Sequence, residues 1–253
     1  DRVASVERLR FCNSGTEANL LALAAAVAHT GRRTVLVFEG AYHGGVLSFP
    51  AAGPAKVNVP HAFVVAPYND LEAARAALAP HRGDVAAILV EPMLGSGGCV
   101  PGDPSFLHGL RALADEHGAL LVLDEVMTSR LSFGGRQGAL GLEPDLTTIG
   151  KYFGGGMSIG AFGGREDVID RFDPRRADAL AHAGTFNNNV LTMAAGLAGL
   201  REVLTRDALD ALNARGERLR AALDQCFARH GVALRASGIG SLLNLHPGRG
   251  PVR

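Results

Sequence analysis

Cysteine is scarce in this 253-residue sequence, and the three present, Cys12, Cys99 and Cys226, are odd in number and widely spaced. No Cys-x-x-Cys occurs, which argues against a disulfide framework or a zinc site and for a reducing compartment, so a cytoplasmic location is expected. Long hydrophobic runs are missing too. The longest, residues 20–28, falls far short of the roughly 20 apolar residues that a bilayer-spanning helix needs. With no basic-then-apolar leader at the start, a soluble protein without a membrane partner is expected. Neither sign of charge is in excess: 25 Lys plus Arg balance 25 Asp plus Glu, so no global field draws nucleic acid or an anionic surface. The nine histidines include no His-Glu-x-x-His, and no metal site is expected. Nucleotide loops fail as well, because Gly150-Lys151 is followed by Tyr152 and no G-x-G-x-x-G stands between a strand and a helix. Gly156-Met157-Ser158-Ile159-Gly160 matches the serine-hydrolase elbow G-x-S-x-G. That elbow needs a strand before it and a helix after it, whereas here glycines precede and a strand-like Ile-Gly-Ala-Phe follows. Small-molecule chemistry is what these exclusions leave.

What is present suits a large α/β domain, or one domain plus part of another. Hydrophobic residues make up 47% and charged residues 20%, enough to bury a sizeable core. Short apolar runs at residues 34–38, 62–66, 85–90, 119–123, 146–149 and 159–162 read as strands. Between and after them, helices are predicted over 71–79 behind an Asx cap at Asn69 or Asp70, over 104–117 ended by Gly118, and over 166–172 and 190–204. This alternation predicts a largely parallel sheet with helices on both faces. An amphipathic helix over 207–230, with Leu209, Leu212, Leu219 and Leu223 on one side, reads as a connector to a second unit opened by strands at 232–236 and 242–245. The expected division is 1–205 and 206–253.

Two of the predicted strands end in chemistry. The run 119–123 stops at Asp124, and the run 146–149 stops at Gly150 and Lys151 ahead of three consecutive glycines. Ligands of open α/β sheets bind beyond the carboxyl ends of strands, so both side chains are expected in one pocket. Pyridoxal phosphate asks for that pair, a lysine for its Schiff base and an acid opposite its ring nitrogen. Ser14 with Glu17 three residues on is a capping box that leaves Gly15 and Thr16 at a helix N-terminus, a natural phosphate cup, although an ordinary capped helix looks the same. Tyr42 and His43, in a glycine-bounded loop just past strand 34–38, can stack on and hydrogen-bond to a flat ring, or form a plain surface turn. Strand 85–90 ends in Glu91-Pro92, followed by a loop holding Gly95, Gly97 and Gly98.

Taken in order, Asn13-Ser14-Gly15-Thr16-Glu17-Ala18, Tyr42-His43-Gly44, Glu91-Pro92, Asp124-Glu125-Val126-Met127-Thr128, Thr148-Ile149-Gly150-Lys151 and Gly184-Thr185-Phe186 resemble class III aminotransferases of fold type I. Within that class the sequence is similar to β-amino-acid aminotransferases of the β-phenylalanine type and to glutamate-1-semialdehyde aminomutases. The resemblance implies a three-layer α/β large domain of the fold type I PLP-dependent transferases, with a mostly parallel sheet, and the start of a smaller C-terminal α/β domain. It implies that Lys151 forms the Schiff base and moves the substrate proton, and that Asp124 keeps the pyridine nitrogen protonated. Val126 and Tyr42 would pack on the two ring faces, and Ser14, Gly15 and Thr16 would hold the phosphate. His43, Glu91 and Met127 would complete the cofactor site. Thr185 would reach the phosphate of a neighbouring subunit, which implies a homodimer. Ser96, Met157-Ser158 and Asn187-Asn188-Asn189-Val190 depart from aminomutase habit and favour transamination of a β-amino acid with a 2-oxo acid; the aminomutase is the second reading. The family also has segments before the Ser-Gly-Thr motif and after residue 253 that bring substrate-binding arginines. A catalytically dead, truncated homologue is therefore a third reading.

Overall fold

Short runs rich in Val, Leu, Ile and Ala become most of the strands of one seven-stranded sheet. In the computed structural model, which describes residues 2–248, these strands are β1 (Arg8–Cys12), β2 (Thr34–Phe38), β3 (Ala62–Ala66), β4 (Val85–Val90), β5 (Leu120–Asp124), β6 (Leu146–Gly150) and β7 (Gly160–Gly164). Their spatial order is β1-β7-β6-β5-β4-β2-β3. All neighbours from β6 to β3 run parallel, while β7 is antiparallel to both β6 and β1. Residue 1 and residues 249–253, the end of the expected second unit, lie outside the described residues.

Because side chains alternate along a strand, each strand supplies two cores. Val35, Val37, Leu89, Val122, Leu146 and Phe162 face helix α1 (Gly15–Thr30), whose Ala18, Ala22, Ala25 and Ala26 let its backbone lie close to the sheet. Leu36, Phe38, Ile88, Val90, Leu121 and Leu123 face the other way, onto α2 (Leu71–Leu78) and α3 (Pro104–His117). Both faces are covered, so the central strands read as unbroken apolar runs. The helix ends follow local chemistry. Asp70, not Asn69, caps α2 by accepting from Ala73 N at 2.8 Å, while Asn69 bridges to Pro101 O and Asp103 N. Gly31 and Gly118 end α1 and α3 in the left-handed conformation.

The short helices α4 (Gly135–Leu140) and α5 (Glu166–Ile169) are followed by α6 (Val190–Ala198) and the long α7 (Arg206–Arg229). The helix expected over 190–204 is regular only to Ala198, and residues Gly199–Val203 continue as a wider π turn in which Leu204 N donates to Gly199 O. Beyond α7, β8 (Leu234–Ile239) and β9 (Leu242–Pro247) form an antiparallel hairpin. Asn213 of α7 ties this region to the turn after β5, donating to the carbonyls of Arg130 and Leu131 and accepting from Ser241 N. Among the described residues no helix is long and apolar enough to cross a membrane.

Strand β1 is not legible in the sequence, yet it matters for the site because it leads straight into Ser14. Gly160 of β7 pairs with both Cys12 and Gly150, and a Cβ there would press on the Ser14 backbone and come within 2.8 Å of Cys12 Sγ. Gly160→Ala is therefore expected to destabilise the fold by about 1–3 kcal/mol. Chemical denaturation measures this, and an unchanged midpoint would contradict so close an approach.

Candidate active site

The carboxyl ends of β4, β5 and β6 and the N-terminus of α1 open on one cavity of about 180 Å³. Gly15, Thr16 and Asn19 line it from α1, Tyr42, His43 and Gly44 from the loop after β2, and Glu91 from the end of β4. Asp124, Val126 and Met127 line it from the end of β5, and Lys151 from the end of β6. Thr148 of β6 is in register with Asp124, so β6 runs two residues past the acid to Gly150 before Lys151 opens the turn that follows.

Asp124 shares its strand face with Leu120 and Val122, the face that α1 covers. It is only 5% exposed, and its charge is met by three donors. Val126 N donates to Oδ1 at 3.0 Å, and Asn19 Nδ2 and His43 Nδ1 each reach Oδ2 at 2.8 Å. Tyr42 and His43 therefore take different places: Tyr42 is half exposed at the cavity mouth, while the His43 ring is fully covered behind the acid.

Lys151 is one of two lysines in the sequence; the other, Lys56, is exposed in the loop between β2 and β3. Its φ of 52° lies in the left-handed region, a conformation that side-chain-bearing residues hold only where surrounding structure enforces it. The enforcement is visible on both sides. Tyr152 donates its hydroxyl to Ser129 Oγ at 2.9 Å, joining the turn after β6 to the turn after β5. Burial pushes the Tyr152 phenol up to about 12, so it stays a neutral donor at ordinary pH. On the other side α6 lies directly on the glycine turn, where a Cβ at Gly155 or Gly196 would strike the Ala195 or Phe153 backbone.

At the start of α1, Ser14 Oγ accepts from Glu17 N at 3.1 Å. The Glu17 carboxylate turns back to Asn13 N at 2.8 Å, one residue earlier than a standard capping box. A Cβ at Gly15 would stand 2.8 Å from Val126 Cγ1, and Gly44, at φ 133°, lies hard against the Thr16 side chain. Glycine at these two positions keeps the helix N-terminus open toward the cavity.

Glu91 is buried, and its two oxygens accept from Tyr42 N and Gly95 N, each at 3.0 Å. Burial pushes its carboxyl up to about 7, against the pull of His43 and with the added push of the Asp124 charge. Thr185 is apart from this group. It sits in the exposed loop before α6 and does not line this chain's cavity, although Asn187 of the same loop accepts from Asn13 Nδ2 at 2.8 Å. Ser158 is exposed on the turn leading into β7, with no helix after it, so the hydrolase elbow is not formed. Among the described residues no group of three or more His, Cys, Asp or Glu could hold a metal ion, and all three cysteines are free.

Asn19, and the contact of motif residue Thr148 with it, are not visible in the sequence. Asn19 Nδ2 donates to Asp124 Oδ2 and to His43 O at 2.9 Å, and its Oδ1 accepts from Thr148 Oγ1 at 2.8 Å. An amide within an Ala/Leu helix, one turn after Gly15, was the available signal.

The fold is that of the fold type I pyridoxal-phosphate-dependent transferases, as the matches to solved structures show. The chain belongs to the class-III aminotransferase family, whose profile matches residues 1–245. It is 57% identical to the β-phenylalanine transaminase of Variovorax paradoxus over 253 residues, covering 100% of this chain and 58% of that protein. The crystal structure of a β-phenylalanine aminotransferase from Variovorax paradoxus matches with a TM-score of 0.96, at the same identity and coverage. A transaminase solved with PLP bound matches at a TM-score of 0.89 and 34% identity, over 99% of this chain and 62% of that one. Glutamate-1-semialdehyde 2,1-aminomutase 2 of Staphylococcus haemolyticus is 38% identical over 266 residues, spanning 100% of this chain and 62% of its own length. The chain thus spans about three fifths of the relatives it matches.

A carboxyl whose folded value, about 7, lies above its ordinary 4.5 binds more protons folded than unfolded between those values. Its contribution to stability is full below about 4.5 and is lost as pH rises through about 7. Thermal melts from about pH 5 to about pH 8 should show the wild type losing stability relative to Glu91→Gln as pH rises. Parallel curves for the two proteins would contradict this.

Proposed function

We propose that this chain carries the core of a PLP-dependent aminotransferase that moves an amino group between a β-amino acid and a 2-oxo acid. The observation that carries it is the convergence of Lys151 and Asp124 on one cavity beside the open N-terminus of α1. The residues fit the cofactor: a strained lysine, a buried carboxylate, a glycine-floored helix start, and an aromatic and a valine at the walls. When bound, PLP supplies an electron sink for charge developing on the substrate carbon.

In this reading Lys151 Nζ would hold the cofactor, and its free amine would give and take the proton of the substrate. Asp124 holds the proton on the ring nitrogen. Tyr42 and Val126, both lining the cavity, would orient the cofactor ring. Ser14, Gly15 and Thr16 bind the phosphate, with the dipole of α1 favouring its charge. Glu91, Met127 and His43 shape the cavity around these groups. Thr185 serves the phosphate of a second subunit, which makes the enzyme a homodimer. Support for a dimer comes from a second cavity of about 360 Å³ between α6 and the sheet, lined by Leu9, Phe153, Leu197 and other uncharged side chains. Phe186, Val190 and Leu191, all more than two thirds exposed, add an apolar surface beside it. Three free cysteines suit a cytoplasmic location. The aminomutase relative favours a second reading, an amine shift within one substrate.

Addition of PLP to the apo-protein should produce a visible absorbance band that Lys151→Ala lacks. Asp124→Asn should keep the band and lose turnover by about a hundredfold or more; undiminished turnover would mean the wrong acid. With a β-amino acid and 2-oxoglutarate, glutamate should form, whereas isomerisation of glutamate-1-semialdehyde without glutamate release would favour the aminomutase. Sedimentation should find a dimer that Val190→Glu weakens, and a monomer at all concentrations would remove Thr185 from the site.

A further inference from the structure

Asp124 sits in a layer of polar groups that the reaction does not touch, and the satisfaction of those groups is nearly determined by counting. An ionised carboxylate has about four lone-pair positions and no donor. Oδ2 receives Asn19 Nδ2 and His43 Nδ1, which fills it, and Oδ1 receives Val126 N. One lone pair, on Oδ1, is left for the cavity. The orientation of Asn19 is equally constrained. Its two neighbours on one side, Asp124 Oδ2 and the His43 carbonyl, can only accept, so the amide nitrogen must face them. The amide oxygen then faces Thr148, whose hydroxyl must donate. His43 Nδ1, facing the same carboxylate, must carry a proton, while its buried Nε2 has no protein partner.

We propose that Asn19 is a positioning residue for the pyridine-binding acid, locked by Thr148, and that this network presents Asp124 through Oδ1 alone with His43 in its Nδ1–H form. The proposal rests on the PLP assignment above. Parity supports it independently of the cofactor: Asp124 and Thr148 are register partners on adjacent parallel strands, on the sheet face that α1 covers. The same Asn19 nitrogen also holds the His43 backbone, so one amide fixes both the acid and the loop that brings Tyr42 to the cavity mouth. Fixing the carboxylate in one orientation before the ring arrives removes an ordering cost from binding.

The test uses the full-length protein and its Asn19→Ala, Thr148→Val and Thr148→Ser variants. In apo-protein titrations, Asn19→Ala should weaken PLP binding by about tenfold or more and Thr148→Val by severalfold, while Thr148→Ser, which keeps the donor, should stay within about twofold of wild type. With PLP labelled at the ring nitrogen, the 15N resonance at neutral pH should be that of a protonated ring in wild type and Thr148→Ser and move toward the unprotonated value in Asn19→Ala. A folded Asn19→Ala protein with wild-type affinity and a wild-type ring resonance would overturn the proposal. Should that variant fail to fold, equal behaviour of Thr148→Val and Thr148→Ser would overturn it. Failure of every protein, wild type included, to take up PLP would defeat the functional assignment instead. The His43 15N signals of the apo-protein then decide: protonated Nδ1 upholds the network, and a neutral ring protonated at Nε2 refutes it.

Discussion

A carboxylate placed under a helix at the end of a buried strand must be given donors or lose its charge, and the architecture around Asp124 is arranged to give them. The donors come from three separate pieces of chain: α1 through Asn19, the loop after β2 through His43, and the turn after β5 through Val126. Each of those pieces also brings a wall of the cavity. The acid is therefore the point at which α1, the Tyr42 loop and the Val126 turn are held in mutual register. The sheet supplies the remaining term, since the pairing of Asp124 with Thr148 sets how far beyond the acid Lys151 can stand.

Close backbone approach is the second device. Gly15 against Val126, Gly44 against Thr16, Gly160 against Ser14 and Gly155 against Ala195 all mark places where a methyl group would push two elements of the site apart. Within that frame Lys151 is held at positive φ, and Tyr152 and α6 keep it there. Strain at the residue that bears the amine, with its neighbours tightly packed, is the arrangement expected where a side chain must be aimed rather than merely exposed.

Much of this was legible in the sequence because the central strands are buried on both faces. The run into Asp124 is unbroken and apolar, and the one into Lys151 is a short buried run closed by glycine, so the residues that end them stand out. Strand β1 is not legible: Arg8 and Arg10 interrupt it, and it pairs with β7, far along the chain. The helix at 190 was read too long, since its Ala, Gly and Leu composition does not reveal the π turn at Gly199. The network of Asn19 and Thr148 is not legible because each, taken singly, is an ordinary polar residue in its element. Only strand register and side-chain parity put them beside the acid. His43 was placed by type with Tyr42 on a ring, but the strict burial of its side chain assigns it to the acid instead.

With only two lysines in the sequence, the cofactor's point of attachment can be read at a single atom. The protein loaded with PLP is reduced with borohydride, which makes a lysine-bound cofactor permanent, then digested and mapped by mass spectrometry. The pyridoxyl mass should be found on the peptide containing Lys151 and be absent from the one containing Lys56. Label on Lys56, or on neither lysine, would contradict the assignment of the cavity at the ends of β5 and β6.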